Sequence, residues 1–121
     1  MALRLQRGKN AEDRARRHLE QQGMRLLESN YRCRLGEIDL IMQDGEALVF
    51  IEVRYRKSAA FGSALESVTH QKQRRLLATA NHYLQQHRPA APCRFDVVGI
   101  SGPGSVAHIE WIKDAFQRDQ S

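Results

Sequence analysis

In one short stretch of the chain, four charged residues interrupt otherwise apolar runs. Glu37 and Asp39 lie in GEIDLIM, and Glu52 and Arg54 lie in VFIEVRYR. Isolated charges within buried strands are costly unless they are paired or bound to a metal. Carboxylates held close together can ligate a divalent cation, and a neighbouring arginine can neutralise a phosphate. A local departure from the apolar pattern is where a functional site is expected.

These residues need a scaffold that turns them to one side. Asp44-Gly45 is a short hairpin signal, flanked by strands over about residues 35–43 and 46–55. With Asp44 and Gly45 as a two-residue loop, Gln43 faces Glu46, Asp39 faces Phe50 and Glu37 faces Glu52. Glu37, Asp39, Glu52 and Arg54 then share one face, and Asp39 and Glu52 are diagonal neighbours. Directly opposed Glu37 and Glu52 repel each other, and a divalent cation between the carboxylates would turn that repulsion into ligation. The alternative is a set of acids solvated on an exposed sheet face.

Other elements supply further charges. Asn10 is a plausible N-cap for a helix that ends near Gln22, with Gly23 just beyond. Ala11, Ala15 and Leu19 form its apolar stripe, and residues 1–8 read as a flexible basic lead. Glu12 either pairs with Arg16 one turn on or leans towards the hairpin acids. Residues 24–34 suggest a strand kinked at Ser29-Asn30, bringing Arg32 and Arg34 beside the hairpin. Those two arginines are either phosphate contacts or solvated edge charges. Residues 56–66, small, polar and glycine-bearing, read as a mobile substrate-contacting loop with Arg56 and Lys57 at its base.

Thr69 reads as the N-cap of a helix over residues 70–87, whose stripe is Leu76, Leu77, Ala80, Tyr83 and Leu84. Its first turns carry Gln71, Lys72 and Arg75. Cations there work slightly against the helix dipole, which suits a phosphate-facing role as well as a solvated basic face. Arg88-Pro89 closes the helix. A strand over 93–100, a turn over 101–104 and a strand over 106–112 follow, then a polar tail over 114–121. Asp96, another acid in an apolar strand, reads as the partner of an arginine rather than a fourth site carboxylate.

The chain of 121 residues suits one domain with one core. A net charge of +5, mostly from arginine, fits a polyanionic partner as well as simple solubility. No apolar run approaches the ~20 residues that span a membrane, and MALRLQRGKN has no signal-peptide core, so a cytoplasmic protein is expected. Cys33 and Cys93 have no metal-binding spacing and are expected to be reduced.

Asp39, twelve intervening residues, Glu52, one residue and Arg54 make a D-x12-E-x-R pattern. It resembles the PD-(D/E)xK nuclease motif. Across GKNAEDRARRHL, GEIDLIMQDGEALVFIEVRYR, FGSALESVTHQKQRRL and CRFDVV, the chain resembles the YraN-like family of small bacterial proteins, related to Holliday junction resolvases. The resemblance implies an α/β fold with a restriction-endonuclease-like αβββαβ core and a mixed central sheet flanked by helices. It implies Glu12, Asp39 and Glu52 as acidic site residues, Mg²⁺ or Mn²⁺ as cofactor, and Gln71 and Lys72 near nucleic acid. Glu37 joins the metal ligands only through the hairpin register. Arg54 departs from the motif's lysine: it stays protonated and is a poor proton acceptor, yet can still stabilise a phosphate.

The expected function is therefore a Mg²⁺-dependent, structure-selective nuclease, or nuclease-like protein, acting on duplex or branched DNA. Asp39, Glu52, Arg54 and Glu12 would form its centre. Arg32, Arg34, Arg56, Lys57, Gln71, Lys72 and Arg75 would hold the backbone, with a homodimer as the expected assembly. The alternatives are a nucleic-acid-binding module that has lost turnover and a protein-interaction domain.

Overall fold

In a computed structural model, the protein is described over residues 2–57, 62–87, 89–102 and 108–117. Five strands form one sheet in the order β1-β2-β3-β4-β5. They are β1 Arg25–Cys33, β2 Gly36–Asp44, β3 Ala47–Arg56, β4 Cys93–Ser101 and β5 His108–Phe116. All neighbours are antiparallel except β3 and β4, which are parallel because helix α2, His70–His87, crosses over between them. Helix α1, Ala2–Gln21, precedes the sheet. This mixed sheet between two helices is the expected α/β arrangement, with a fifth strand added to the αβββαβ core. No described helix is long and apolar enough to cross a membrane.

The two helices cover opposite faces of the sheet. Ala11, Ala15 and Leu19 of α1 pack with Leu40, Met42, Val49, Ile51, Val98 and Ile100. Leu76, Ala80 and Tyr83 of α2 pack with Ile41, Leu48, Phe50, Phe95 and Val97. A strand buried on both faces needs an unbroken apolar run, which is why residues 48–51 of β3 read LVFI.

Helix boundaries follow local chemistry. Gly23 takes φ 95°, its N–H donates to Glu20 O at 3.0 Å, and Met24 N–H donates to Leu19 O at 3.1 Å. This is a Schellman cap, with Leu19 and Met24 buried together. Thr69 caps α2 as expected, its Oγ1 accepting from Lys72 N–H at 3.1 Å.

The structure corrects several expectations. Helix α1 begins at Ala2, so the segment expected as a flexible lead is helical and Asn10 is an interior residue, not an N-cap. Leu, Arg and Gln at positions 3–7 are good helix formers even without an apolar stripe. Residues 62–67 are not loop throughout. They fold onto the sheet through a 3₁₀ turn, Leu65–Ser67, with Ala64 buried and Val68 N–H donating to Leu65 O at 2.9 Å. Strand β5 runs on to Phe116, beyond the expected end at 112, because Phe116 stacks on Phe95 at 5.0 Å. Residues 58–61, 103–107 and 118–121 and Arg88 lie outside the described residues, and with them parts of the expected loop, turn, last strand and tail. Cys33 and Cys93 are not joined by a disulfide.

The hairpin is displaced from its expected register. Asp44 pairs with Ala47, Gln43 with Leu48 and Ile41 with Phe50, so the two-residue loop is Gly45-Glu46. Gly45 alone takes positive φ, 61°, the φ pattern of a type II′ turn rather than I′. Asp44 is kept in the strand by Arg94, whose guanidinium lies 2.9 Å from its carboxylate. The shift amounts to two residues in the pairing. Side-chain faces repeat every two residues, so residues 41 and 50 still share a face, while every individual partner changes.

Candidate active site

Asp39 sits where β2 parts from β3. The paired ladder stops at Leu40 and Ile51, and beyond it Val53 N–H donates to Asp39 Oδ2 at 2.8 Å. A side chain thus takes over a backbone acceptor's place, and the opening between the strands is held by a carboxylate. Glu52, on β3, is only 4% exposed and hydrogen-bonded to Asp39. Expected as diagonal neighbours, the two acids are in direct contact.

Their electrostatics follow from burial. Burial, and next the charge of Asp39, push the Glu52 carboxyl up to about 8, against the opposing Lys72 and Arg54. Burial also raises Asp39, although the Val53 N–H and the Glu52 hydrogen bond act against it. Two carboxylates in contact cannot both ionise easily, so at neutral pH the pair shares a proton, with Glu52 donating to Asp39.

Two cations converge on the same oxygen. Arg54 Nη1 lies 3.4 Å from Glu52 Oε2, and Lys72 Nζ, from the first turn of α2, lies 3.7 Å from it. Arg54 is fixed at its other side, where Nε donates to Ser67 Oγ at 3.1 Å. Ser67 Oγ in turn donates to Ala64 O at 2.5 Å. Lys72 has no such second anchor among the described residues, and its side chain is 43% exposed.

Glu12 reaches the site from α1. Its carboxyl is raised first by burial and next by the charge of Asp39, while a hydrogen bond from the Asn30 side chain works the other way. Asn30 can turn towards it because it takes φ 55°, a conformation asparagine tolerates better than most residues. The expected kink at this point of β1 is therefore also a contact of the site. The alternative pairing of Glu12 with Arg16 does not form; Arg16 lies 4.0 Å from Glu20.

Glu37 is placed differently from its expected position opposite Glu52. It pairs with Arg32 across the β1–β2 ladder, and the two side chains are hydrogen-bonded. Its charge still acts on Asp39 and Glu12 from that position.

Of the expected backbone-holding residues, Arg34, Lys57, Gln71 and Arg75 are exposed, Lys72 is at the carboxylates, and Arg32 is exposed but tied to Glu37. Arg56 is turned inward: its Nη1 donates to Gly62 O at 2.8 Å and its Nη2 lies 3.4 Å from Glu110. It fastens the residue 62–67 turn to the sheet, and Ala64 N–H donates to the same Glu110 at 2.8 Å.

The sequence does not mark Asn30 and Ser67 as site residues. Ser67 carried no signal, since its role depends on where the turn folds. Asn30 carried a weak one, a turn-favouring residue inside a strand. Asp96 holds Arg94 at 3.0 Å, as expected of a structural acid.

The family described as "Uncharacterised protein family UPF0102" matches residues 11–100. The chain belongs to the UPF0102 family, the YraN-like proteins. A UPF0102 protein of Nitrosococcus oceani is 54% identical over 113 residues, 92% of this chain and 91% of that protein. One from Stutzerimonas stutzeri is 51% identical over 112 residues, 91% and 93% of the two chains. One from Saccharophagus degradans is 52% identical over 118 residues, 96% and 97% of the two chains. The matched span of this UPF0102 protein contains Glu12, Asp39, Glu52, Arg54 and Lys72, and leaves β5 and the start of α1 outside.

Among the described residues no three His, Cys, Asp or Glu side chains form a metal-binding group by themselves. The donors available to a cation are the two touching carboxylates. That set suits Mg²⁺, which is commonly held by one or two carboxylates and completes its shell with water and substrate phosphate oxygens.

Proposed function

We propose that this UPF0102 protein is a Mg²⁺- or Mn²⁺-dependent, structure-selective endonuclease acting on duplex or branched DNA. The observation that carries this reading is the pair of half-buried Asp39 and buried Glu52 at a parting of two strands, with Arg54 and Lys72 on one Glu52 oxygen. A phosphodiester-cleaving site needs both signs of charge at close quarters.

In this reading Asp39 and Glu52 hold the cation, whose chemistry when bound is activation of water and stabilisation of charge on the phosphate. Arg54, permanently charged and anchored by Ser67, stabilises the phosphate oxygens. Glu12, held by Asn30, assists from the α1 side through water. Arg34, Lys57, Gln71 and Arg75 hold the flanking backbone. A cytoplasmic location, and a homodimer matching a two-fold symmetric junction, belong to the same proposal.

The test is cleavage of duplex, flap and four-way-junction DNA with Mg²⁺ or Mn²⁺. Cleavage that needs the metal and is abolished in Asp39→Ala supports the reading. Cleavage that survives Asp39→Ala unchanged sinks it.

The second reading is a nucleic-acid-binding module of the same fold without turnover. What favours it is Arg54, which stands in the motif's lysine position, never deprotonates and is tied to Ser67. It predicts binding that weakens steeply with salt and no cleavage with any divalent cation.

A further inference from the structure

Glu52 Oε2 faces two cations that are held in different ways. Arg54 Nη1, at 3.4 Å, belongs to a guanidinium fixed through Nε to Ser67. Lys72 Nζ, at 3.7 Å, ends a flexible four-carbon stem whose side chain is 43% exposed. The Lys72 backbone is fixed in the capped first turn of α2, so the amine can leave Glu52 by side-chain rotation alone. While it stays, the oxygen a divalent cation needs is covered, and a second positive charge sits where the cation would bind.

We propose that Lys72 is the releasable half of a two-cation clamp on Glu52, and that a nucleic-acid phosphate draws it off and so opens the carboxylate to a divalent cation. This rests on the nuclease-type reading above and adds a regulatory step to it. A phosphodiester competes directly with Glu52 for the ammonium, since both are oxyanions within reach of the same stem. Arg54 stays in place through Ser67. Metal and nucleic acid then bind with positive coupling, and Lys72 is a positioning residue acting through Glu52. Linkage requires the coupling to be reciprocal: the metal raises affinity for nucleic acid by the same factor.

The experiment titrates Mn²⁺ by electron paramagnetic resonance into the protein alone and into protein saturated with a short duplex. Mn²⁺ held by an equal amount of free duplex is subtracted, and the duplex is checked as intact on a gel. Mn²⁺ affinity is expected to rise about tenfold with duplex, within the usual range of coupling between two sites. In Lys72→Gln, Mn²⁺ affinity without duplex is expected to rise towards the duplex-bound value, and the duplex effect to vanish. Lys72→Arg, which keeps the charge, is expected to keep the low affinity of the free protein, and circular dichroism checks that both variants fold. An undiminished duplex effect in Lys72→Gln overturns the clamp in favour of direct phosphate ligation. Equal Mn²⁺ affinity with and without duplex, in a protein that binds both, overturns the clamp and leaves the nuclease-type reading standing. No Mn²⁺ binding in either state overturns both.

Discussion

Asp96 and Glu52 are both acids in strands that are otherwise apolar, and both are almost fully buried, at 0% and 4% exposure. They lie one step apart in the parallel ladder, since Asp96 pairs with Ile51 and Val97 with Glu52. Their surroundings differ. Asp96 is saturated. Arg94 approaches its two oxygens at 3.0 and 3.2 Å, Trp111 Nε1 donates at 2.9 Å and Asp114 N–H donates at 2.9 Å. Glu52 instead shares a proton with a second acid, and its cations stand off at 3.4 and 3.7 Å. One buried acid is a structural joint that ties β5 and, through Arg94 and Asp44, the hairpin end to β4. The other retains capacity for a ligand. Burial of a charge does not by itself mark a site; incomplete satisfaction does.

That contrast can be broken most forcefully at Asp96. Asp96→Ala removes the central acceptor and leaves Arg94, Trp111 Nε1 and the Asp114 N–H short of partners. Urea unfolding is expected to show a loss of about 3–5 kcal/mol, as for a broken buried ion pair. Asp39→Ala should lose less, because Asp39 accepts from one backbone N–H and one acid, where Asp96 accepts from a guanidinium, an indole and a backbone N–H. Equal losses at the two positions would erase the distinction.

The next test is pH. The folded state holds Glu52's proton up to about 8, whereas the unfolded chain releases it near the ordinary glutamate value of 4.5. Between those values the native state binds more protons, so this group makes stability fall as pH rises from about 4.5 to about 8, then level off. Glu52→Gln, which cannot ionise, should flatten that part of the stability–pH profile and be the more stable protein at pH 8. An unchanged slope in Glu52→Gln would show that the carboxylate pair is better satisfied than its contacts imply.

A smaller effect tests the scaffold under Arg54. A Cβ on Gly99 would lie 2.6 Å from the Ala64 Cβ, so the turn carrying Ser67 packs directly against β4. Gly99→Ala is expected to cost about 1–3 kcal/mol through overpacking. On the proposed nuclease-type reading it should also weaken DNA binding by displacing Ser67 and Arg54, measured by fluorescence anisotropy. The smallest effect belongs to the Arg32–Glu37 pair, in which Arg32 is 72% exposed. Arg32→Ala should change stability by less than about 1 kcal/mol. A larger loss would mean that Glu37 is bound into the site more tightly than an exposed pair allows.

Local chemistry made much of the molecule readable in one dimension. Gly23 and Thr69 mark helix ends because glycine relieves the αL cap and a threonine hydroxyl satisfies an orphan N–H. Asp39, Glu52 and Arg54 stood out because strand side chains alternate and apolar runs expose any charge within them. Side-chain faces near the turn were legible even though the turn sits one residue further on, since a two-residue shift in pairing preserves alternation; alternation breaks before Leu40, where Ile38 packs with Ile41 on the α2 side.

Partners were not legible, because they depend on which elements become neighbours. Arg94 reaches across from β4 to keep Asp44 in the strand, and this moves the register. Arg32, from β1, takes Glu37, and Lys72, from a helix twenty residues beyond Glu52, comes to its carboxylate. Asn30, from β1, hydrogen-bonds Glu12 of α1. The sequence by itself determined that this hairpin would carry acids within apolar strands. Only the tertiary structure decided which acids touch and which cations answer them, because ion pairs and shared protons depend on distances of a few ångströms between segments remote in the chain.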